Sequence, residues 1–308
     1  MIGAILAGGY GKRLRPYTER IPKGLLELKD GYTILHKQLD DFSYAGIKKV
    51  FMLTSHLSQR IEETFGSEYR GMRIEYLHED KPMGKMFSMR NLISAADTDA
   101  VVRNGDTVSD IDLRRMIDFS NDSGKPLTVH VTRMRSPYGV VDVDHGAVRR
   151  FREKPLLDVL INAGVYIIRK EIFHYFMEQS VSFEPEIAVF PSLAEKGLVS
   201  AYYEDGEWLG IDSEKDLESA RNEFAGRDDF QWGYRKLLLR DGNVSVWSLR
   251  INSNREVPLW MDNGVMRVVS GSVEYNTELC QSGSVSVISA GGTLKSSDIS
   301  IVEITQLG

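Results

Sequence analysis

Cysteine is almost absent from this chain. The single Cys280 in 308 residues excludes an intramolecular disulfide and a cysteine-built zinc site, and it suits a reducing cytoplasm. Long apolar runs are missing as well: none approaches the roughly 20 residues that span a bilayer. The opening MIGAILAGG lacks the charged start of a secretory signal, so a cytoplasmic location is expected. Positive charge is not in excess either. A formal net charge of −6 and a pI near 5.6 give no long-range positive potential, which argues against nucleic acid and against an anionic membrane surface as partners. Histidine is scarce and one-sided. All six histidines stand at or before His174, so the last part of the chain has none with which to build a metal centre.

What is present is a soluble composition, 42% hydrophobic and 27% charged, long enough for one large domain and a smaller one. Against the acidic background, residues 6–23, LAGGYGKRLRPYTERIPK, gather Lys12, Arg13, Arg15, Arg20 and Lys23 around three glycines. The stretch follows the apolar run IGAIL, so it falls at the carboxyl end of a strand, where open α/β sheets bind ligands. A local polyanion site is implied. It is not a P-loop, because Leu6 stands where the first glycine belongs and Arg13 where Ser or Thr belongs. It is not a dinucleotide fingerprint either, because Leu14 replaces the third glycine. There remains a glycine loop whose amides can approach a phosphate chain, with Arg13 and Lys23 to neutralise it.

Two textures divide the chain. Up to about Phe224, strand-like runs (KKVFMLTSH, RIEYLHED, AVVRNGD, LTVHVTR) alternate with helical ones (TILHKQLDDFSYAG, LSQRIEETFG, FSMRNLISAA), which predicts a mostly parallel sheet with helices on both faces. From Trp232 onward only strand-like runs separated by turns remain (VSVWSLRI, VMRVVSGSVEY, GSVSVISAGG), which predicts a small all-β domain. The expected domains are 1–226 and 229–308.

The run LAGGYGKRLRPYT followed by IPK resembles the signature of the sugar-1-phosphate nucleotidyltransferases, also called NDP-sugar pyrophosphorylases. NGD at 104–106, YGVV at 138–141, EKP at 153–155, NAGVY at 162–166 and EWLGIDSEKDLESA at 207–220 continue the resemblance in order. It implies a three-layer, Rossmann-like α/β domain with a mixed sheet, and the transfer of NMP from an NTP to a sugar 1-phosphate, mannose or glucose, with loss of pyrophosphate. Leu6, Ala7, Gly8, Gly9, Gly11, Arg13 and Gly84 are then expected at the nucleotide. Gly139, Glu153, Lys154, Asn162 and Gly164 are expected at the sugar phosphate. Arg13, Lys23 and Asp106 are the expected catalytic residues, with Mg²⁺ on Asp106.

The residues make chemical sense on their own. Asp106 ends an apolar strand and offers a hard oxygen to a cation between phosphates. Lys154 can meet a phosphate while Glu153 accepts from sugar hydroxyls. Asn162, in a turn-like NAG, can both donate and accept. Two departures from the family pattern stand out. In PMGKMFSM, Lys85 occupies the place of a small hydroxyl residue in a segment that usually helps select the base. In WLGID, the usual Trp-x-Asp-Ile-Gly has its Gly and Asp interchanged, so Gly210 offers no ligand. Asp212, two residues on, is the expected second metal ligand, with a helix cap as the alternative use of that side chain.

The C-terminal part resembles the cupin of type II mannose-6-phosphate isomerases, found fused behind mannose-1-phosphate guanylyltransferases. Lacking histidine, it is expected to hold no catalytic metal and to serve dimerisation, packing or sugar binding, and a homo-oligomer is expected. A non-catalytic sugar-nucleotide sensor and a cytidylyltransferase acting on a non-sugar phosphate are the alternative functions.

Overall fold

The computed structural model describes residues 1–81, 83–180, 184–261, 263–289 and 291–307. Pro82 of the PMGKMFSM segment, and Asp262, Ala290 and Gly308 of the expected C-terminal domain, lie outside the described residues. The chain divides into two compact units, neither of them one consecutive stretch. The first comprises residues 1–26, 47–111 and 116–212, and the second 27–46, 112–115 and 213–308.

The first unit is built on an eight-stranded sheet. Its order is Val199–Tyr203, Leu127–Arg135, Leu156–Ile168, Ala100–Asn104, Ile2–Leu6, Lys49–Thr54, Met72–His78 and Glu68–Tyr69. The central strands Ile2–Leu6, Lys49–Thr54 and Ala100–Asn104 are near-continuous buried apolar runs, as strands covered on both faces must be. Met86, Met89 and Leu92, on one stripe of the helix Lys85–Ala95, pack with Ala4, Phe51, Leu53 and Val102 of those strands. The expected α/β class holds.

The sheet is mostly parallel, as the alternation of strands and helices predicts, and mixed, as the resemblance implies: Leu156–Ile168 and Glu68–Tyr69 run against the other strands. Strand Leu156–Ile168 runs antiparallel to both of its neighbours, whereas Ile2–Leu6 is parallel to both of its own. The reason is the connection. The chain leaves Leu127–Arg135 through the hairpin Val140–Asp144 and Ala147–Arg152 and returns without the long helical crossover that a parallel pairing requires. The NAG segment differs from expectation: it lies inside this 13-residue strand, at a register shift between Asn162 and Tyr166, not in a turn. Further on, Val199–Tyr203 and Trp208–Gly210 are separate strands, and the second pairs antiparallel with Thr107–Ser109.

The second unit carries a six-stranded and a four-stranded antiparallel sheet formed by residues between Arg227 and Leu307. Strand Asn263–Ser270 alternates exposed and buried positions, the period-two pattern of a sheet with one covered face. Leu249, Met266, Val302 and Ile304 from the larger sheet share one core with Val257, Val273 and Leu294 from the smaller, so the two sheets bury their faces against each other. Among the described residues, no helix is long and apolar enough to cross a membrane.

Candidate functional site

The site begins where the parallel strands stop. Leu6 lies beside Leu53 and Asn104, and the chain leaves this edge through two loops that touch. The Gly105 N–H donates to the Leu6 carbonyl at 3.0 Å. A Cβ on Gly105 would stand 2.6 Å from that same oxygen, so only glycine lets the NGD loop lie against the LAGG loop. Gly11 adopts φ +59°, with the Thr18 hydroxyl donating to its carbonyl at 2.8 Å. Leu14 and Thr18 are buried. The basic loop is therefore folded back on itself and fixed, and it delivers Lys23 beside Gly11. Gly8 packs against Ser55, and Gly9 faces open space.

Lys23 is the centre of the arrangement. Its Nζ lies 2.9 Å from Asp106 Oδ2 and 2.9 Å from Asp212 Oδ1, and Arg13 reaches the same Asp212 oxygen at 2.9 Å. The lysine is only 12% exposed, the two carboxylates just over 40%, and Arg13 75%. A buried ammonium thus joins two half-open acids, with a guanidinium at the rim. Burial pushes the Asp212 carboxyl up, but the hydrogen bonds and charges of Lys23 and Arg13 outweigh it and hold the group below its ordinary value.

Asp212 reaches this point because of its strand. Trp208–Gly210 pairs with Thr107–Ser109, and the Ile211 N–H donates to the Asp106 carbonyl at 2.9 Å, so the two acids leave one ladder side by side. The capping alternative is excluded: the helix Glu214–Phe224 is capped by Ser213, in a reciprocal box with Asp216. A Cβ at Gly210 would stand 3.1 Å from Trp208 Cη2, so the indole packs closely over this position. The indole in turn donates to the Ala163 carbonyl at 2.9 Å.

That bond brings the NAG segment to the same edge. Gly164 lies against Asn104, whose Nδ2 would be 2.7 Å from a Cβ there. Asn162 Oδ1 accepts from the Gly164 N–H at 2.9 Å, and Asn162 Nδ2 donates to the Tyr166 hydroxyl at 2.8 Å. Gly139, Glu153 and Lys154 form a separate group. A Cβ on Gly139 would meet Glu153 Oε2 at 3.0 Å, and the Lys154 carbonyl accepts from Arg135. Lys154 holds φ +44°, a left-handed backbone uncommon for a residue with a side chain. Gly84 precedes the helix Lys85–Ala95, with Glu184 Oε1 3.7 Å from where its Cβ would be.

Tyr166, Glu186, Trp208 and Asn104 are in the site's framework but were not singled out by sequence reasoning. Tyr166 and Trp208 stand inside the very motifs quoted. An apolar-looking strand gives no sign that a hydroxyl or an indole N–H is turned toward a neighbouring loop. Glu186 had no signal at all.

The profile of the nucleotidyl transferase family matches residues 2–265. Mannose-1-phosphate guanylyltransferase catalytic subunit beta of Xenopus tropicalis is 33% identical over 228 residues, covering 70% of this chain and 62% of the relative. The chain thus spans less than two thirds of that relative. Mannose-1-phosphate guanyltransferase beta-B of Xenopus laevis is 33% identical over 265 residues, covering 80% of this chain and 73% of its own. The crystal structure of HddC from Yersinia pseudotuberculosis superposes with a TM-score of 0.58 at 24% identity, over 73% of this chain and all of that one, which establishes a shared fold. With the family profile covering most of its length, this chain belongs to the nucleotidyl transferase family.

Proposed function

We propose that the protein transfers a nucleoside monophosphate from an NTP to a sugar 1-phosphate and releases pyrophosphate. The observation that carries this reading is Lys23, held between Asp106 and Asp212 at the carboxyl edge of the sheet with Arg13 at the rim. Cations and carboxylates so placed bind phosphates through positioning and charge, with no nucleophilic side chain needed. An oxygen of the sugar phosphate attacks the α-phosphorus in line. One P–O bond forms, the bond to the β-phosphate oxygen breaks, and pyrophosphate leaves with the electron pair. The exposed Arg13 guanidinium holds the triphosphate and the leaving pyrophosphate charge. Lys23 meets the phosphates at the reacting centre, and the Gly8 to Gly11 loop lets backbone amides approach them. Lys154 and Glu153 hold the sugar phosphate and the sugar hydroxyls.

Nucleotidyl transferases of this family generally use a divalent metal. The residues fit one: Asp106 and Asp212 already converge hard carboxylate oxygens on the Lys23 ammonium, and Mg²⁺ is commonly bound by one or two carboxylates plus phosphate and water. When bound there, Mg²⁺ supplies neutralisation of charge between the phosphates.

The relatives named above make mannose 1-phosphate with GTP the first pair to try. The test is a pyrophosphate-release grid of NTPs against glucose, mannose, galactose and glucosamine 1-phosphates with Mg²⁺. Release only when both substrates are present supports the reading. Nucleotide binding without turnover anywhere in the grid replaces it with the sensor alternative.

A further inference from the structure

Lys85, one of the two departures from the family pattern, does not stand free. It is the first residue of an 11-residue helix, where the macrodipole disfavours a cation. Its charge is answered by Glu186, Nζ to Oε1 at 2.8 Å. The same Glu186 oxygen accepts from the Tyr166 hydroxyl at 3.0 Å. Tyr166 is 2% exposed, and burial, followed by the Glu186 charge, pushes its phenol well above the ordinary range. The hydroxyl therefore remains a donor to Glu186. Its acceptor side receives the Asn162 amide at 2.8 Å and the Asn104 amide. A hydroxyl has one donor and two acceptor positions, so Tyr166 is saturated.

We propose that Lys85 is a positioning residue for the sugar side of the site, acting through Glu186 and Tyr166 to fix the amides of Asn162 and Asn104, and that it does not read the base. The inference rests on the reading of Asn162 as a sugar-phosphate contact. The chain of bonds leaves Asn162 one amide hydrogen and one carbonyl lone pair for a ligand, in one orientation. Without Lys85, a carboxylate only 24% exposed loses its counter-charge, and its second oxygen is already buried without a hydrogen-bond partner. Glu186 then turns toward water and releases Tyr166, and the two asparagines lose their common anchor.

The experiment compares Lys85→Met, Lys85→Arg and Tyr166→Phe with wild type, using mannose 1-phosphate and GTP or whichever pair the grid identifies. Lys85→Met and Tyr166→Phe should raise KM for the sugar 1-phosphate about tenfold, the scale of one charge-assisted hydrogen bond. KM for the NTP and the order of base preference should stay within about twofold, and Lys85→Arg should restore the sugar KM. A changed base preference, or an unchanged sugar KM, overturns the proposal. The second readout needs no turnover: hydrogen exchange of the Asn162 and Asn104 side-chain amides, followed by NMR, should quicken in Lys85→Met. Unchanged exchange overturns the relay. If wild type turns over no pair in the grid, nucleotidyl transfer fails as a reading, and amide exchange alone decides the relay.

Discussion

Lys23 and Asp212 are 189 residues apart in the chain and 2.9 Å apart in the structure. The same ammonium meets Asp106, 83 residues away, so one side chain holds together two loops that the sequence keeps distant. Lys23→Ala is expected to lower pyrophosphate release on the order of 10²-fold or more, the scale for removing a preorganised charge. Because two carboxylates then face one another without their shared cation, the variant should also melt at a lower temperature than Arg13→Ala, whose guanidinium is 75% exposed. Equal melting temperatures for the two variants would contradict this ranking.

Asp212 and Ser213 are neighbours with separable duties. Asp212→Asn should raise the Mg²⁺ needed for half-maximal turnover with little change in melting temperature. Ser213→Ala removes the cap of the helix Glu214–Phe224 and should cost about 1 kcal/mol of stability, with the Mg²⁺ requirement unchanged. Metal titrations and thermal melts of both variants check the assignment, and normal Mg²⁺ dependence in Asp212→Asn removes it from the metal.

Gly105 is expected to resist any side chain. A Cβ there would stand 2.6 Å from the Leu6 carbonyl and 3.1 Å from Ala7 Cα, both backbone atoms with nowhere to turn. Gly105→Ala should destabilise the protein by about 1–3 kcal/mol, as overpacking does. It should also lower turnover, because Asp106 moves with the loop. Urea unfolding with an unchanged midpoint would show that the loops can part at no cost.

His130 gives the protein a pH-dependent stability. It is 2% exposed, and burial, then the nearby Arg103 charge, pushes its pKa down to about 3. Asp110, Glu204 and Glu207 line the same small cavity. The folded value lies below the ordinary one, so the folded chain binds this proton less well than the unfolded chain does. The contribution is fully present above about pH 6.5 and is lost progressively as pH falls toward 3. His130→Gln should flatten the fall in melting temperature between pH 7 and 4. An unchanged slope would assign the acid sensitivity to other groups.

The sequence by itself determined the class of the fold and the chemistry of its loops. IGAIL could only be a buried strand, and the glycines and cations that follow it could not form a P-loop or a dinucleotide turn. The loss of helical period after Trp232 marked the all-β part. These properties are local, because they depend on residue type and spacing along one segment. Tertiary structure decided what depends on pairing between distant segments. The hairpin at 140–152 turned Leu156–Ile168 antiparallel to its neighbours, and the pairing of that strand set Gly164 against Asn104. The pairing of Trp208–Gly210 with Thr107–Ser109 set Asp212 next to Asp106, where the sequence left a helix cap open as the alternative use of that side chain. Lys85 is the plainest case. Nothing in PMGKMFSM says where its ammonium goes, because Glu186, the partner that takes it, lies 101 residues away and is brought there only by folding.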